Sequence, residues 1–155
     1  MKTLYAMPGH LIRRAHQIST AIFAEECAAY DLTAIQYAAL SAIRSHADLD
    51  ATRLSGVIAF DRTTIGGVLD RLEAKSWIKR EPSPTDRRIK LIRLTPDGGK
   101  LLEEVATAVA RVQERLLEPL EGEDRATFLR LLERLTDVHN DLTSAPLQAL
   151  SEAGS

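Results

Sequence analysis

Between Lys75 and Leu94 the segment KSWIKREPSPTDRRIKLIRL holds seven basic side chains and two acidic ones, a local charge of +5 in a chain of formal net charge −2. Within it, Asp86, Arg87 and Arg88 sit in a Pro/Ser/Thr-rich tip, and Lys90 follows. Arginine carries a planar, permanently charged fork suited to phosphates and base edges. An aspartate two residues before such a fork can hold it by a charge-assisted hydrogen bond. Upstream, Arg62, Thr63, Thr64, Gly67 and Arg71 crowd one short stretch, and threonine hydroxyls suit phosphate oxygens. Few chemistries other than gripping a nucleic-acid duplex need this combination. The net acidity does not exclude it, because local field rather than total charge steers a polyanion.

The elements that must position these residues follow from periodicity. Leu11, Ala15, Ile18 and Ile22 form one apolar stripe, predicting a first helix from Pro8 to Tyr30. Thr33-Ala-Ile-Gln36 is a capping-box signature for a second helix reaching about Ser45. Asp50 is placed to cap a third, with Leu54, Val57 and Ile58 inward. Asp61 is placed to cap a fourth, with Ile65, Val68, Leu69 and Leu72 inward. The rows Arg62–Gly66–Asp70 and Thr63–Gly67–Arg71 then lie on the opposite side of that fourth helix. Adjacent Gly66 and Gly67 serve either close approach to a surface or a tight helix–helix contact. Two β-like runs, Trp77–Arg80 and Ile89–Leu94, flank the basic tip. Thr95-Pro96 starts a long fifth helix that Pro119 and Gly122 end, and a sixth follows from about Glu123 with Phe128, Leu132, Leu135, Val138 and Leu142 apolar. The tail from Ser144 is expected to fray.

The fold expected is therefore mainly α: a winged helix-turn-helix with a two-stranded β-wing and a helical dimerisation region. The DNA-binding domain spans 33–95, and the helical region takes 1–32 and 96–150. A winged domain closes its own core, so the terminal helices need another partner. Their stripes are covered if they pack against a second copy of the chain, or if the last two form a hairpin within one copy.

Other function classes fare worse. The 155 residues contain one cysteine and no long apolar run, and the start MKTLYAMPGH lacks a signal peptide's apolar centre, which fits a cytoplasmic protein without membrane contact. His10, His16, His46 and His139 form no H-x-x-x-H pair, so no metal site is expected. No G-x-S-x-G, phosphate-binding loop or dinucleotide fingerprint occurs, so neither catalysis nor a cofactor is expected. A protein-interaction module without DNA binding remains as an alternative.

Asp86-Arg87-Arg88, followed by Leu94-Thr95-Pro96-Asp97-Gly98, meets the D-x-R then L-T-x-x-G pattern of the MarR family of bacterial transcription regulators. The chain resembles that family over nearly its whole length, through Leu72–Ile78 and the order of its six helices. Ser76 departs from it, since many members have glycine there. The resemblance implies a homodimer on pseudo-palindromic promoter DNA, acting as a ligand-responsive regulator, in the main a repressor. Arg62, Thr63, Thr64 and Arg71 would face the major groove, with Gly67 at the surface. Arg88 would enter the minor groove, oriented by Asp86. Arg87 and Lys90 are either further contacts or solvent-facing strand residues.

The resemblance also implies a small-molecule effector, often an aromatic acid, held between the dimer helices and the winged domain. His10, Arg13, Arg14 and Gln17 gather on one side of the first helix. Such a cluster suits a carboxylate or the phosphates of a coenzyme A thioester, though solvated side chains or dimer contacts fit it as well. A redox-sensing branch uses a cysteine early in the first helix. Cys27 lies near that helix's end, where a buried, alanine-like role fits better.

Overall fold

The computed structural model describes residues 2–143 and 145–148. Among these residues, seven α-helices and one two-stranded sheet follow in the order α1 (Lys2–Tyr5), α2 (Pro8–Glu26), α3 (Ala34–Ser45), α4 (Ala51–Val57), α5 (Ile65–Ala74), β1 (Ile78–Pro82), β2 (Lys90–Leu94), α6 (Pro96–Leu117) and α7 (Glu123–Val138). The expected first helix begins at Pro8 as predicted but stops at Glu26. Ala28–Tyr30 forms a separate 3-10 turn that ends at Asp31 in the left-handed region. The short α1 was not anticipated.

Local capping chemistry sets most of the boundaries. The Thr33 hydroxyl accepts the Gln36 N–H, and the Gln36 carboxamide returns the bond to the Thr33 N–H, closing the box at α3. The Asp50 carboxylate accepts the Arg53 N–H at 2.8 Å to start α4, and the Thr95 hydroxyl accepts the Gly98 N–H at 3.1 Å to start α6. The expectation for Asp61 needs correction. Helix α5 begins only at Ile65, and residues 62–64 form the turn before it. Asp61 caps that turn, accepting the Thr63 N–H at 2.9 Å and its hydroxyl at 3.0 Å.

Helices α4 and α5 close through a left-handed residue other than glycine. At the end of α4 the Ala59 N–H donates to the Gly56 carbonyl and the Phe60 N–H to the Ser55 carbonyl. At the end of α5 the Ser76 N–H donates to the Glu73 carbonyl and the Trp77 N–H to the Leu72 carbonyl. Both are Schellman closures, which need a left-handed residue in the turn. Ala59 (φ 51°) and Ser76 (φ 59°) supply it at a steric cost that glycine would not carry. Ser76 thus occupies a position whose geometry favours glycine.

The core lies between α3, α4, α5 and the wing, where Leu40, Leu49, Leu54, Leu69, Leu72 and Ile78 are buried. It continues between α2 and α6 through Phe23, Cys27, Leu102, Val105 and Val112. Strand β2 is tied in by the Ile92 N–H, which donates to the Leu49 carbonyl at 2.8 Å. By contrast Leu11, Ile12 and Ile18 of α2 are exposed, and α7 buries no residue at all. The expectation of a frayed tail is overturned for residues 145–148. Asn140 brackets the Leu147 backbone with two hydrogen bonds, and the Gln148 N–H donates to the Gly56 carbonyl at 2.8 Å. Ser144 and residues 149–155 lie outside the described residues.

Gly98 packs against backbone. A Cβ there would sit 2.2 Å from the Trp77 carbonyl oxygen and 2.8 Å from the Leu94 Cδ1. Gly98→Ala is expected to lower unfolding stability by about 2–3 kcal/mol, since no rotamer relieves a backbone clash. Ser76→Gly is expected to raise it by roughly 0.5–1 kcal/mol. Chemical denaturation of the three proteins measures both.

Candidate nucleic-acid interface

The wing is a two-stranded antiparallel ribbon in which Ile78 faces Leu94 and Pro82 faces Lys90. Relative to the runs expected in the sequence, β1 starts one residue later and extends two residues further toward the tip, whereas β2 begins one residue later, at Lys90. Proline is tolerated at position 82 because it is the last residue of β1, beside the tip, in a ribbon whose two strands are both edge strands. The tip is closed by the Ser83 N–H donating to the Ile89 carbonyl at 2.8 Å and the Ile89 N–H donating to the Asp86 carbonyl at 3.0 Å.

This closure fixes Asp86 behind Arg88. The Arg88 Nε and Nη2 each donate to one Asp86 carboxylate oxygen, both at 3.1 Å, and the Arg88 backbone N–H donates to the same carboxylate at 3.1 Å. The Arg88 side chain is nevertheless 90% exposed. The Arg88 hydrogen bonds hold the Asp86 carboxyl below the usual carboxylate range, and Asp86 in turn raises the guanidinium pKa. A depressed folded-state pKa means this contact is complete above the ordinary carboxylate pKa and is lost only as pH falls through the lowered value. At neutral pH the arginine is therefore a preorganised cation with one face held and the other open. Arg87 and Lys90 are exposed beside it.

Arg62, Thr63 and Thr64 are exposed in the turn preceding α5 rather than on the helix itself. The Arg62 Nη2 donates to the Thr52 hydroxyl of α4 at 3.3 Å, and the Thr64 hydroxyl donates to the Asp61 carbonyl at 3.1 Å. Gly66, Gly67 and Arg71 are exposed on α5. A Cβ added at Gly66 or Gly67 would meet nothing within 4 Å. Neither glycine is therefore required by a tight contact within the chain. A groove of about 640 Å³ separates α4 and α5 from the wing, with Thr52, Glu73, Arg80, Arg88 and Lys90 among its lining.

Sequence reasoning missed Arg80 and Thr52. Alternation along β1 could have found Arg80, which shares the inward side with Ile78. Elsewhere, the Arg13 Nη2 donates to the His10 Nδ1 at 3.2 Å, and the His10 ring lies edge-on against Tyr5. Arg14 and Gln17 are exposed on the same side of α2. Cys27 is 1% exposed, and burial, with Glu26 adjacent, pushes its thiol pKa up. It packs as an apolar residue. Among the described residues, no three of His, Cys, Asp and Glu gather to hold a metal ion, and no helix is long and apolar enough to cross a membrane.

Residues 32–90 match the sequence model of the MarR family. The chain is also 34% identical over 129 residues to the transcriptional repressor NicR of Pseudomonas putida, covering 83% of this chain and 82% of that one. The chain belongs to the MarR family. Its members are transcriptional regulators, so this protein is a DNA-binding regulator of transcription and not an enzyme. BpsR of Bordetella bronchiseptica, whose DNA binding is regulated by 6-hydroxynicotinic acid, superposes with a TM-score of 0.81 at 32% identity, over 86% of this chain and 95% of that one. A variant of MarR from Escherichia coli complexed with operator DNA gives 0.77 at 30% identity, over 82% and 91%. The winged helix-turn-helix expected from the residues is the fold observed.

Two outcomes test the interface. Arg88→Ala is expected to weaken duplex binding while leaving the melting temperature unchanged, and Asp86→Ala to weaken it less, by freeing the arginine rather than removing it. Gly67→Ala is expected to stabilise the fold by roughly 0.5–1 kcal/mol through helix propensity, yet to weaken binding by obstructing the approach. Fluorescence anisotropy paired with thermal melts separates the two effects.

Proposed function

We propose that this MarR-family protein is a homodimeric repressor that binds pseudo-palindromic promoter DNA and releases it when an aromatic carboxylate, or its coenzyme A thioester, binds beside α2. The observation that carries the DNA-binding part is Arg88, almost fully exposed yet gripped from behind by both oxygens of Asp86. A surface arginine held this way has already lost its rotamer freedom and is presented outward, which lowers the entropic cost of insertion into a groove. Arg62, Thr63 and Thr64 in the turn, and Gly67 and Arg71 on α5, would meet the major groove beside it, with Arg87 and Lys90 adding phosphate contacts.

The dimer is supported by the unpartnered apolar faces. Phe128, Leu131, Leu132, Leu135 and Val138 of α7 are exposed, with Val138 at 71%, as are Leu4, Tyr5, Leu11 and Ile18 near the amino end. Such an array on the terminal helices exceeds what an isolated soluble chain usually leaves in water. Residues 1–32 and 96–150 would then form the dimerisation region and 33–95 the reading head. A two-fold protein presents two wings and two α5 helices to successive half-sites.

The effector part is supported by His10, Arg13, Arg14 and Gln17 on one side of α2, and by BpsR, whose named regulator is an aromatic carboxylate. The buried His10 Nε2 has no hydrogen-bond partner, and a carboxylate or phosphate oxygen would satisfy it. About 100-fold release requires about 2.7 kcal/mol of differential binding to the DNA-incompetent state.

The experiment is sizing of the protein followed by duplex titration against salt and a panel of aromatic acids and thioesters that includes 6-hydroxynicotinic acid. A dimer is expected, with log affinity falling steeply in log salt at roughly −0.9 per neutralised phosphate. Arg13→Ala/Arg14→Ala is expected to blunt effector release with DNA affinity nearly unchanged. A monomer at micromolar concentration or salt-insensitive binding overturns the dimeric DNA reader. A panel with no binder, or a double variant that responds like the parent, overturns the effector site.

A further inference from the structure

Helix α5, on the face proposed to meet DNA, carries two carboxylates that a phosphate backbone would repel. Asp70 is exposed next to Arg71 and three residues after Gly67, and Glu73 follows one turn later. Both are answered from the wing. Along β1, Ile78 and Arg80 point to the same side, and Arg80 lies opposite the buried Ile92. Ile78 reaches the core; Arg80, two residues nearer the tip, reaches past the core edge to α5. Its Nη2 donates to Asp70 Oδ1 at 2.7 Å and to Glu73 Oε1 at 3.1 Å, and its Nε donates to Glu73 Oε2 at 3.2 Å. The fork holds Glu73 below the usual carboxylate range, and Glu73 and Asp70 raise the Arg80 pKa.

We propose that Arg80 is a positioning residue for DNA recognition: by engaging Asp70 and Glu73 together it masks two negative charges on α5 and so permits that helix to lie against a polyanion. The proposal rests on the reading of α5 and the wing as the DNA-facing surface. Without the fork, two carboxylates would stand within a few ångströms of approaching phosphates. There Coulomb repulsion acts at full range in low salt and is damped once the screening length shortens. A role confined to holding the fold would show no such salt dependence.

The test compares the full-length parent with Arg80→Gln, with Asp70→Asn/Glu73→Gln, and with the triple variant. The probe is a fluorescent duplex that the parent selects from a random-sequence pool, titrated at low and high salt. Arg80→Gln is expected to lose about tenfold in affinity at low salt, and the deficit should shrink to under about threefold at high salt. Adding the two carboxamides should restore affinity to within about threefold of the parent. Undiminished binding by Arg80→Gln, a deficit equal at both salts, or no rescue in the triple variant each overturns the proposal. If Arg80→Gln does not fold by circular dichroism, the carboxamide pair in the parent background decides. It should bind at least as tightly as the parent, and weaker binding overturns the mask, as would follow if Asp70 reads a base. A parent that selects no duplex overturns the underlying DNA-facing reading instead, a separate failure.

Discussion

The Trp77 carbonyl is the point at which the reading helix, the wing and the long helix α6 meet. The Trp77 N–H closes the end of α5, and its carbonyl accepts the Thr95 N–H at 3.0 Å as β2 finishes. The Thr95 hydroxyl spans the same junction, donating to the Ser76 carbonyl at 2.6 Å while accepting the Gly98 N–H. Gly98 lies so close that only the absence of a Cβ lets α6 start there. The Thr and Gly of the L-T-x-x-G motif are thus two halves of one contact. It fixes the start of α6 against the end of α5 and the last residue of β2.

Helix α6 runs from this junction along α2, and charge as well as packing holds the pair. Arg111 and Arg115 form ion pairs with Glu25 and Glu26 at 2.9 Å, and hydrogen bonds from both arginines keep Glu26 below its usual carboxylate range. These ion pairs flank the apolar contact of the two helices, in which Phe23, Cys27, Val105 and Val112 are buried.

Charge is distributed according to the task of each region. The wing concentrates positive charge and shows one arginine fully outward, while a second wing arginine, Arg93, is taken up by Glu81 and Asp48 at 3.0 and 2.9 Å. Lys75 is likewise engaged, bound to the Asp31 carboxylate at 3.0 Å and lying 4.6 Å over the Trp77 ring. Only part of the formal +5 is therefore free to meet a polyanion. Near the wing tip Arg87 and Lys90 are exposed and Arg88 is held by Asp86 yet stays exposed, while Arg80 and Arg93 are engaged by carboxylates and less exposed.

Much of this was legible from residue order alone because the signals are local. Caps at Thr33, Asp50 and Thr95 act within three residues, and apolar periodicity marks the inward faces of α3, α5 and α6 without reference to the rest of the chain. The Asp86–Arg88 fork is equally local, spanning two residues of one turn. What sequence order did not reveal depends on contacts across the fold. The end of α4 at Ala59 and of α5 at Ser76 lacked the glycine that usually announces a stop, since surrounding packing imposes a left-handed backbone on alanine and serine. The start of α5 slipped from Asp61 to Ile65 because Asp61 spends its carboxylate on Thr63. Arg80 looked like one more basic wing residue until the sheet was laid against α5, where strand alternation and helix spacing combined to give it two carboxylate partners.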